Sequence, residues 1–368
     1  RAAVSTLQNE TKWAADHPVL NHMLEKKQQQ RAQRGPARLP QTQEELIIWL
    51  TELGYARPRD MADIISKWLA GGVPATRGER ARNYLEELLT ELMPRLSSAE
   101  EPDDAFASFA YLVDGLSAGA QFFALLCQNS QLSDLLCSIM IKAPRLSDIL
   151  GRMPSLLDRM LDPDFFMPAL QPDQLQNSLQ ESMQGLDDEQ ALDHLRLWSK
   201  EQRFTSEVHL LEGRIRYEQF GIHYSHLADI IIQEICWLAS QNFARRYGHI
   251  ANSSFGILGL GRLGSQMMTV HSDLDLMFVY DGDQEAVSDG PRTLGLATYY
   301  IKLSQLIVSW LSVATSKGGL YEIDMRLRPD GTVGPIAVHT ARLTTYYKNE
   351  AWPWEHLALL KARTILIT

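Results

Sequence analysis

From Gln41 to about Ile250 the apolar residues recur at three- and four-residue spacings, and this feature constrains the fold more than any other. "TQEELIIWLTELGY" opens with a capping-box pattern, Thr42 as N-cap and Glu45 three residues on. "ERARNYLEELLTELMPRL" sets Tyr84, Leu85, Leu88, Leu89 and Leu92 on one stripe. "SHLADIIIQEICWLASQNFARRYG" sets Ala228, Ile232, Ile235, Ala239 and Phe243 on one face, with Gly248 where a helix should stop. Breakers recur as "AGGVPATRG", "SSAEEPDD" and "MPALQPD". The spacing predicts an all-helical domain over residues 41–250, without internal repeats. Residues 1–40 are polar and end in "RGPARLP", which reads as a helical stub and linker.

The texture changes after Ser253. "FGILGL" and "DLDLMFVY" read as short strands, "LATYYIKLSQLIVSWLSVAT" as a helix, and "GLYEIDMRLRPDG" alternates with period two. From Thr340 the pattern is helical again. Residues 251–368 are therefore expected to form a second domain with few strands, and the whole chain a mainly helical α+β protein.

Two signals compete in "SSFGILGLGRLGSQMMTVHSDLDLMFVYDGD". Gly259, Gly261 and Gly264 make G-x-G-x-x-G after an apolar run, and Asp281 follows where a dinucleotide-binding unit places its acid. Such a unit needs a helix of about three turns between its strands, and "SQMMTVHSDLD" leaves roughly two. The other signal is Asp273-Leu-Asp275 at the head of a strand. Alternate residues share a face, so these carboxylates project together about 6 to 7 Å apart. They repel unless a cation lies between them, and oxygen ligands favour Mg²⁺. A solvated pair at a strand start gives the same pattern. Gly264 and Ser265 lie within ten residues of the pair, and a Gly-Ser turn can offer N–H and hydroxyl donors to phosphate.

A third carboxylate is available in "GLYEIDMRLRP". If it is a strand, Tyr321, Ile323, Met325 and Leu327 form one face, and Glu322, Asp324, Arg326 and Arg328 the other. Beside the Asp-x-Asp strand, Asp324 would join the acids, and Arg326 or Arg328 would meet phosphate or order the carboxylates through internal ion pairs.

Composition narrows the partners. The net charge is −10, a poor match for nucleic acid, and no apolar run reaches the length of a membrane span. Cys127, Cys137 and Cys236 are widely spaced, as expected of buried thiols in a reducing, cytoplasmic compartment. A chain opening on Arg1 and ending in "ALLKARTILIT" reads as a piece of something longer.

Gly-Ser, then Asp-x-Asp, then an Asp on a later strand, resembles the DNA polymerase β-like nucleotidyltransferase superfamily. Longer stretches, "GLGRLGSQMMTVHSDLDLMFVYD", "YEIDMRLRPDGTVGP" and "YYKNEAWPWEHLALLKAR", resemble the glutamine synthetase adenylyltransferase family. So do the helical "LGYARPRDMADIISKWLAGG" and "SIMIKAPRLSDILGRMPSLLDRML". The likeness covers residues from about 50 to 368, and "WPWEH" resembles the carboxy-terminal, adenylylating half of the family. Arg262, Ser265 and His271 stand where the family usually has Lys, Gly and Ser.

The resemblance implies a helical bundle followed by a nucleotidyltransferase domain with a small mixed sheet. It implies ATP as substrate, two Mg²⁺ ions, and transfer of AMP to a tyrosine of glutamine synthetase, with the PII signal protein and glutamine as regulators. Carried over, Asp273, Asp275 and Asp324 are metal ligands, Asp324 alternatively the base. Gly264, Ser265, Arg262, Arg326 and Arg328 face the nucleotide. The rival functions are a nicotinamide dehydrogenase, the phosphorolytic head of the same family, and a docking module without catalysis. "WPWEH" is expected to combine core packing with a hydrogen-bonded pair, and Lys361 and Arg363 to lie on a helix within reach of phosphate or in solvent.

Overall fold

The computed structural model describes residues 38–162, 165 and 171–368. Nearly all of the stub and linker expected over residues 1–40 lies outside the described residues. The chain divides into two compact units, one ending at Pro154 and the other running Ser155–Thr368.

The described part of the first unit is helical: α1 Gln43–Glu52, α2 Pro58–Leu69, α3 Glu79–Leu96, α4 Pro102–Gly115, α5 Ala120–Gln128, α6 Ser130–Lys142 and α7 Pro144–Arg152. The capping box at Thr42 and Glu45 forms as the sequence predicts. The Leu85, Leu88, Leu89 and Leu92 stripe of α3 is buried. Trp68 is fully enclosed, edge-on to Phe109, and its indole N–H donates to Asp114. A buried indole with its donor satisfied adds area without an orphaned polar group.

The second unit opens with α8 Ser155–Leu161, α9 Pro172–Met183, α10 Asp188–Leu211 and α11 Tyr217–Tyr247. Then come β1 Ser254–Gly259, α12 Gly261–Gly264, β2 Leu274–Asp281, α13 Leu296–Ser312, β3 Ile323–Asp324, β4 Ala337–His339, α14 Thr340–Asn349, α15 Pro353–Leu359 and β5 Arg363–Ile367. The apolar face of α11 is buried as predicted, and Gly248 ends the helix with φ +68°. Strands begin near Ser253, but the compact unit begins at Ser155, because the apolar faces of α10 and α11 share one core with the sheet.

The sheet is mixed. β1 pairs antiparallel with β2 and β5, while β3 and β4 each run parallel to β2. Leu274, Leu276 and Phe278 of β2 face the core. Helix α13 packs there through Tyr300, whose ring stacks on Phe255 and Tyr280 at 5.4 and 5.3 Å. Asp275, by alternation, faces the other way. A dinucleotide-binding unit requires parallel strands around its glycine turn. Here the turn joins antiparallel strands through a four-residue helix, so the nicotinamide reading fails on topology.

The long strand expected over "GLYEIDMRLRPDG" is only Ile323–Asp324. Beyond it the chain folds into turns, with Asp330 and Gly331 at φ +62° and +55°. Arg328 holds that loop, donating to the carbonyls of Met325, Gly334 and Pro335. The segment after Thr340 also ends differently from expectation, in strand β5, with Arg363 as its first residue. Among the described residues no helix is long and apolar enough to cross a membrane.

Candidate active site

The strand register brings the acidic residues together. Leu274 pairs with Ile323 and Asp275 with Asp324, so Asp275 and Asp324 are direct neighbours on adjacent parallel strands. Adjacent strands lie about 4.8 Å apart, and paired residues share a face. Asp273 precedes β2 by one residue, and it lines an open groove of about 510 Å³ together with Glu322, Asp324, Arg326, Arg328 and Thr332.

The crowding has an electrostatic signature. Burial, and then the charges of Asp273 and Asp324, raise the Asp275 carboxyl above the usual aspartate range, against smaller opposing pulls from Arg326 and Lys361. Asp324 shifts the other way, because Arg326 hydrogen-bonds to it. The Arg326 backbone N–H donates to Asp324 Oδ1 at 2.8 Å and its Nε to Oδ2 at 2.7 Å. Arg326 is thus an internal countercharge, itself mostly exposed.

The oxygen donors suit a hard cation such as Mg²⁺, and a carboxylate raised by its neighbours is short of positive charge, so the residues fit that ion in kind. As they stand, no three His, Cys, Asp or Glu side chains among the described residues are gathered closely enough to hold a metal. Both oxygens of Asp324 accept from Arg326 Nε.

The glycine turn is packed onto this cluster. The Leu260 N–H donates to the Asp275 carbonyl at 2.9 Å. Gly261 has φ +53°, and a Cβ there would fall 1.9 Å from Asp275 Oδ2. A Cβ on Gly264 would fall 1.9 Å from the Lys361 carbonyl oxygen, a packing reason for this glycine that its spacing did not disclose. The N–H groups of Gly264 and Ser265 close the turn on the carbonyls of Leu260 and Gly261, and the exposed Ser265 hydroxyl donates back to Gly261 at 3.0 Å. The donors expected of Gly264 and Ser265 are thus engaged within the turn, and a hydroxyl rotation would release one of them. Arg262 is exposed, with NH1 donating to Thr269.

Other expected residues are engaged differently. Arg328 lines the groove, but its guanidinium is committed to its own loop. Arg363 forms a two-pronged pair with Asp229 of α11 and lies in neither solvent nor a helix. In "WPWEH" the hydrogen-bonded part is Glu355, buried, accepting from the Tyr346 hydroxyl and the Trp352 N–H. The tryptophans are not core: Trp352 is 67% and Trp354 56% exposed. Asp229 was missed because its partner is 134 residues away, and a lone Asp on an apolar helix is the only local sign.

A family model described as glutamate-ammonia ligase adenylyltransferase matches residues 133–368. A bifunctional glutamine synthetase adenylyltransferase/adenylyl-removing enzyme of Bartonella henselae is 39% identical over 323 residues, which is 87% of this chain and 33% of that protein. Proteins of the same description from Rhodopseudomonas palustris and Brucella suis are 37% and 38% identical, over 87% and 86% of this chain. The chain spans about a third of the length of these relatives. With the match running through the helices, the glycine turn and the acidic strands alike, the chain belongs to the glutamate-ammonia ligase adenylyltransferase family.

Proposed function

We propose that this chain is a nucleotidyl-transfer head that moves AMP from ATP to a tyrosine hydroxyl of glutamine synthetase and releases pyrophosphate. The observation that carries the reading is the register of Asp275 on Asp324, with Asp273 at the mouth of the same groove. Three carboxylates beside a glycine turn are an arrangement for holding a polyphosphate through divalent cations. Mg²⁺, when bound, supplies positive charge that acidifies the attacking hydroxyl and neutralises the departing oxygen.

The residues of the chain do the rest. Asp275, wedged against Gly261, has a fixed direction. Asp273 and Asp324 face the groove from which the substrate enters. Arg326 keeps Asp324 ionised, which suits an oxygen donor better than a proton acceptor. Once Asp324 turns to a cation, Arg326 is free to meet the phosphates. The exposed Arg262 and the Ser265 hydroxyl border the same turn and face the nucleotide. In the transfer a bond forms between the tyrosine oxygen and the α-phosphorus, the bond to pyrophosphate breaks, and the hydroxyl proton passes to solvent. Placement and charge dominate such chemistry.

The family likeness further supports a cytoplasmic enzyme controlled by the PII signal protein and glutamine, with helices among residues 41–250, which the fold divides at Pro154, orienting the protein substrate. The names of the relatives include an adenylyl-removing activity, so direction is part of the test. The chain is incubated with glutamine synthetase and labelled ATP–Mg²⁺, and separately with adenylylated glutamine synthetase and phosphate. Label on glutamine synthetase that disappears in Asp273→Asn and Asp275→Asn is the expected result. ADP release from the modified enzyme alone would assign the chain to the phosphorolytic head. Full transfer by both Asn variants would remove the acidic cluster from the chemistry.

A further inference from the structure

The Asp229–Arg363 ion pair ties the long helix to the sheet and to the glycine turn. Asp229 lies on α11 and is only 9% exposed. Arg363 is the first residue of β5, opposite Gly259 at the end of β1. Its NH1 donates to Asp229 Oδ2 at 2.7 Å and its NH2 to Oδ1 at 2.9 Å. The same NH2 donates to the Leu263 carbonyl, inside the glycine turn, at 3.1 Å. One helical turn further along α11, Gln233 donates to the Ile365 carbonyl of β5 at 2.9 Å.

One guanidinium therefore joins three elements: the long helix, the entry of β5 and the turn. On its far side the turn meets Asp275, through the Leu260 N–H and the close approach at Gly261. On its near side it meets the Lys361 carbonyl, two residues before Arg363, at Gly264. The turn has no freedom to shift toward β5 or toward β2. A two-pronged arginine fixes direction as well as distance, which a lysine ammonium cannot do. If the pair served stability alone, no bond to the turn would be needed, and a buried ion pair contributes little net stability over apolar packing.

We infer that Asp229 and Arg363 are positioning residues: together they set the glycine turn, and with it Ser265 and Arg262, at the distance from Asp275 that a nucleotide's phosphates require. The nucleotide half of this inference rests on the function proposed above. The turn half does not.

The test uses Arg363→Lys in the 368-residue chain, with two readouts. The first is amide hydrogen exchange at Gly264 and Ser265, whose N–H groups close the turn. The second is the Kd for ATP–Mg²⁺. Arg196→Lys is the control: Arg196 is 4% exposed and bonds Asp193 within α10, so its loss lowers Tm by an unrelated route. The expected result is at least tenfold faster exchange in the turn and at least tenfold weaker ATP–Mg²⁺ binding for Arg363→Lys, and neither change for Arg196→Lys. Turn exchange unchanged in Arg363→Lys, affinity within twofold of the parent, or the same changes in Arg196→Lys would overturn the inference. A parent chain that takes up no ATP–Mg²⁺ refutes the proposed function instead, and turn exchange then decides the positioning role by itself. If Arg363→Lys does not fold, the neutral pair Asp229→Asn with Arg363→Gln is read by the same criteria.

Discussion

Asp275 and Asp324 stand opposite each other on two parallel strands, and they are pulled in opposite directions. Asp275 is raised by burial and by its acidic neighbours, whereas Asp324 is lowered by Arg326. One cationic side chain thus divides a cluster into a carboxylate well supplied with charge and one that lacks it. That imbalance is a reason for a divalent cation to bind, and it makes the two aspartates respond differently to mutation.

Replacing Asp275 by Asn separates stability from function. A carboxyl raised in the fold binds its proton more tightly than in the unfolded chain. Its penalty is absent in strong acid and fully present once the pH exceeds the raised value. Asp275→Asn should therefore match the parent's Tm at about pH 3 and exceed it at about pH 7. AMP transfer should fall by roughly 100-fold or more, as for loss of a group that stabilises charge in the transition state. A Tm below the parent's at neutral pH would show that Asp275 is not the strained member.

Arg326→Gln tests the other side. A depressed carboxyl contributes stability above its unfolded pKa and loses it as the pH falls through the folded value. The parent should be more stable than Arg326→Gln at neutral pH, and the gap should close in acid. Because Arg326 is exposed, the gap should also shrink in about 1 M salt, where screening acts over roughly 3 Å. Mg²⁺ alone should stabilise Arg326→Gln at a lower concentration than it does the parent, since the guanidinium no longer competes for Asp324. Thermal unfolding across pH, salt and Mg²⁺ reads all three.

Glu355 carries a structural prediction. It accepts from the Tyr346 hydroxyl at 2.8 Å and the Trp352 N–H at 2.7 Å while itself buried. Glu355→Ala orphans the buried Tyr346 hydroxyl and should cost about 1–3 kcal/mol, with a smaller addition from the part-buried Trp352 N–H, which water can reach. Glu355→Gln keeps one acceptor and should cost less. Urea unfolding of the two variants gives the order, and a reversed order would contradict the hydrogen-bond assignment.

What could be read from the sequence was whatever is encoded locally. The apolar stripe of α11, the capping box at Thr42 and the alternation of Leu274, Asp275 and Leu276 at the head of β2 each depend on residues close in sequence, and each formed. The approach of Asp324 to Asp275 was also accessible, because it needed only that two acid-bearing segments be neighbours. Long-range commitments were not. Arg328 looked like one more alternating strand residue, yet it folds its own loop back through three carbonyls. Arg363 looked like a helical surface cation, yet its partner is on α11. Trp352 and Trp354 look like core residues by composition, yet both are exposed at the start of α15.

Two glycines of the turn and one outside it offer the sharpest comparison, because an added Cβ meets different surroundings at each. A Cβ on Gly264 would lie 1.9 Å from the Lys361 oxygen and 2.6 Å from the Gly259 oxygen, both backbone atoms that cannot swing aside. On Gly261 it would lie 1.9 Å from Asp275 Oδ2, at a φ of +53° that L side chains rarely adopt. Gly295, at the start of α13, has an ordinary φ of −68° and nothing within 4 Å of the added carbon. Gly264→Ala should destabilise by about 1–3 kcal/mol, the usual range for overpacking against a rigid neighbour. Gly261→Ala should cost a similar amount and also displace Asp275, so its loss of AMP transfer should exceed what its Tm explains. Gly295→Ala should stay within about 1 kcal/mol of the parent, the lower entropy of the unfolded chain being offset by the loss of a good N-cap residue. Denaturant melts of the three variants, with transfer assayed well below each midpoint, order them. Equal tolerance at all three positions would mean that the turn is not wedged between β5 and Asp275, and the geometry of the site would have to be redrawn from there.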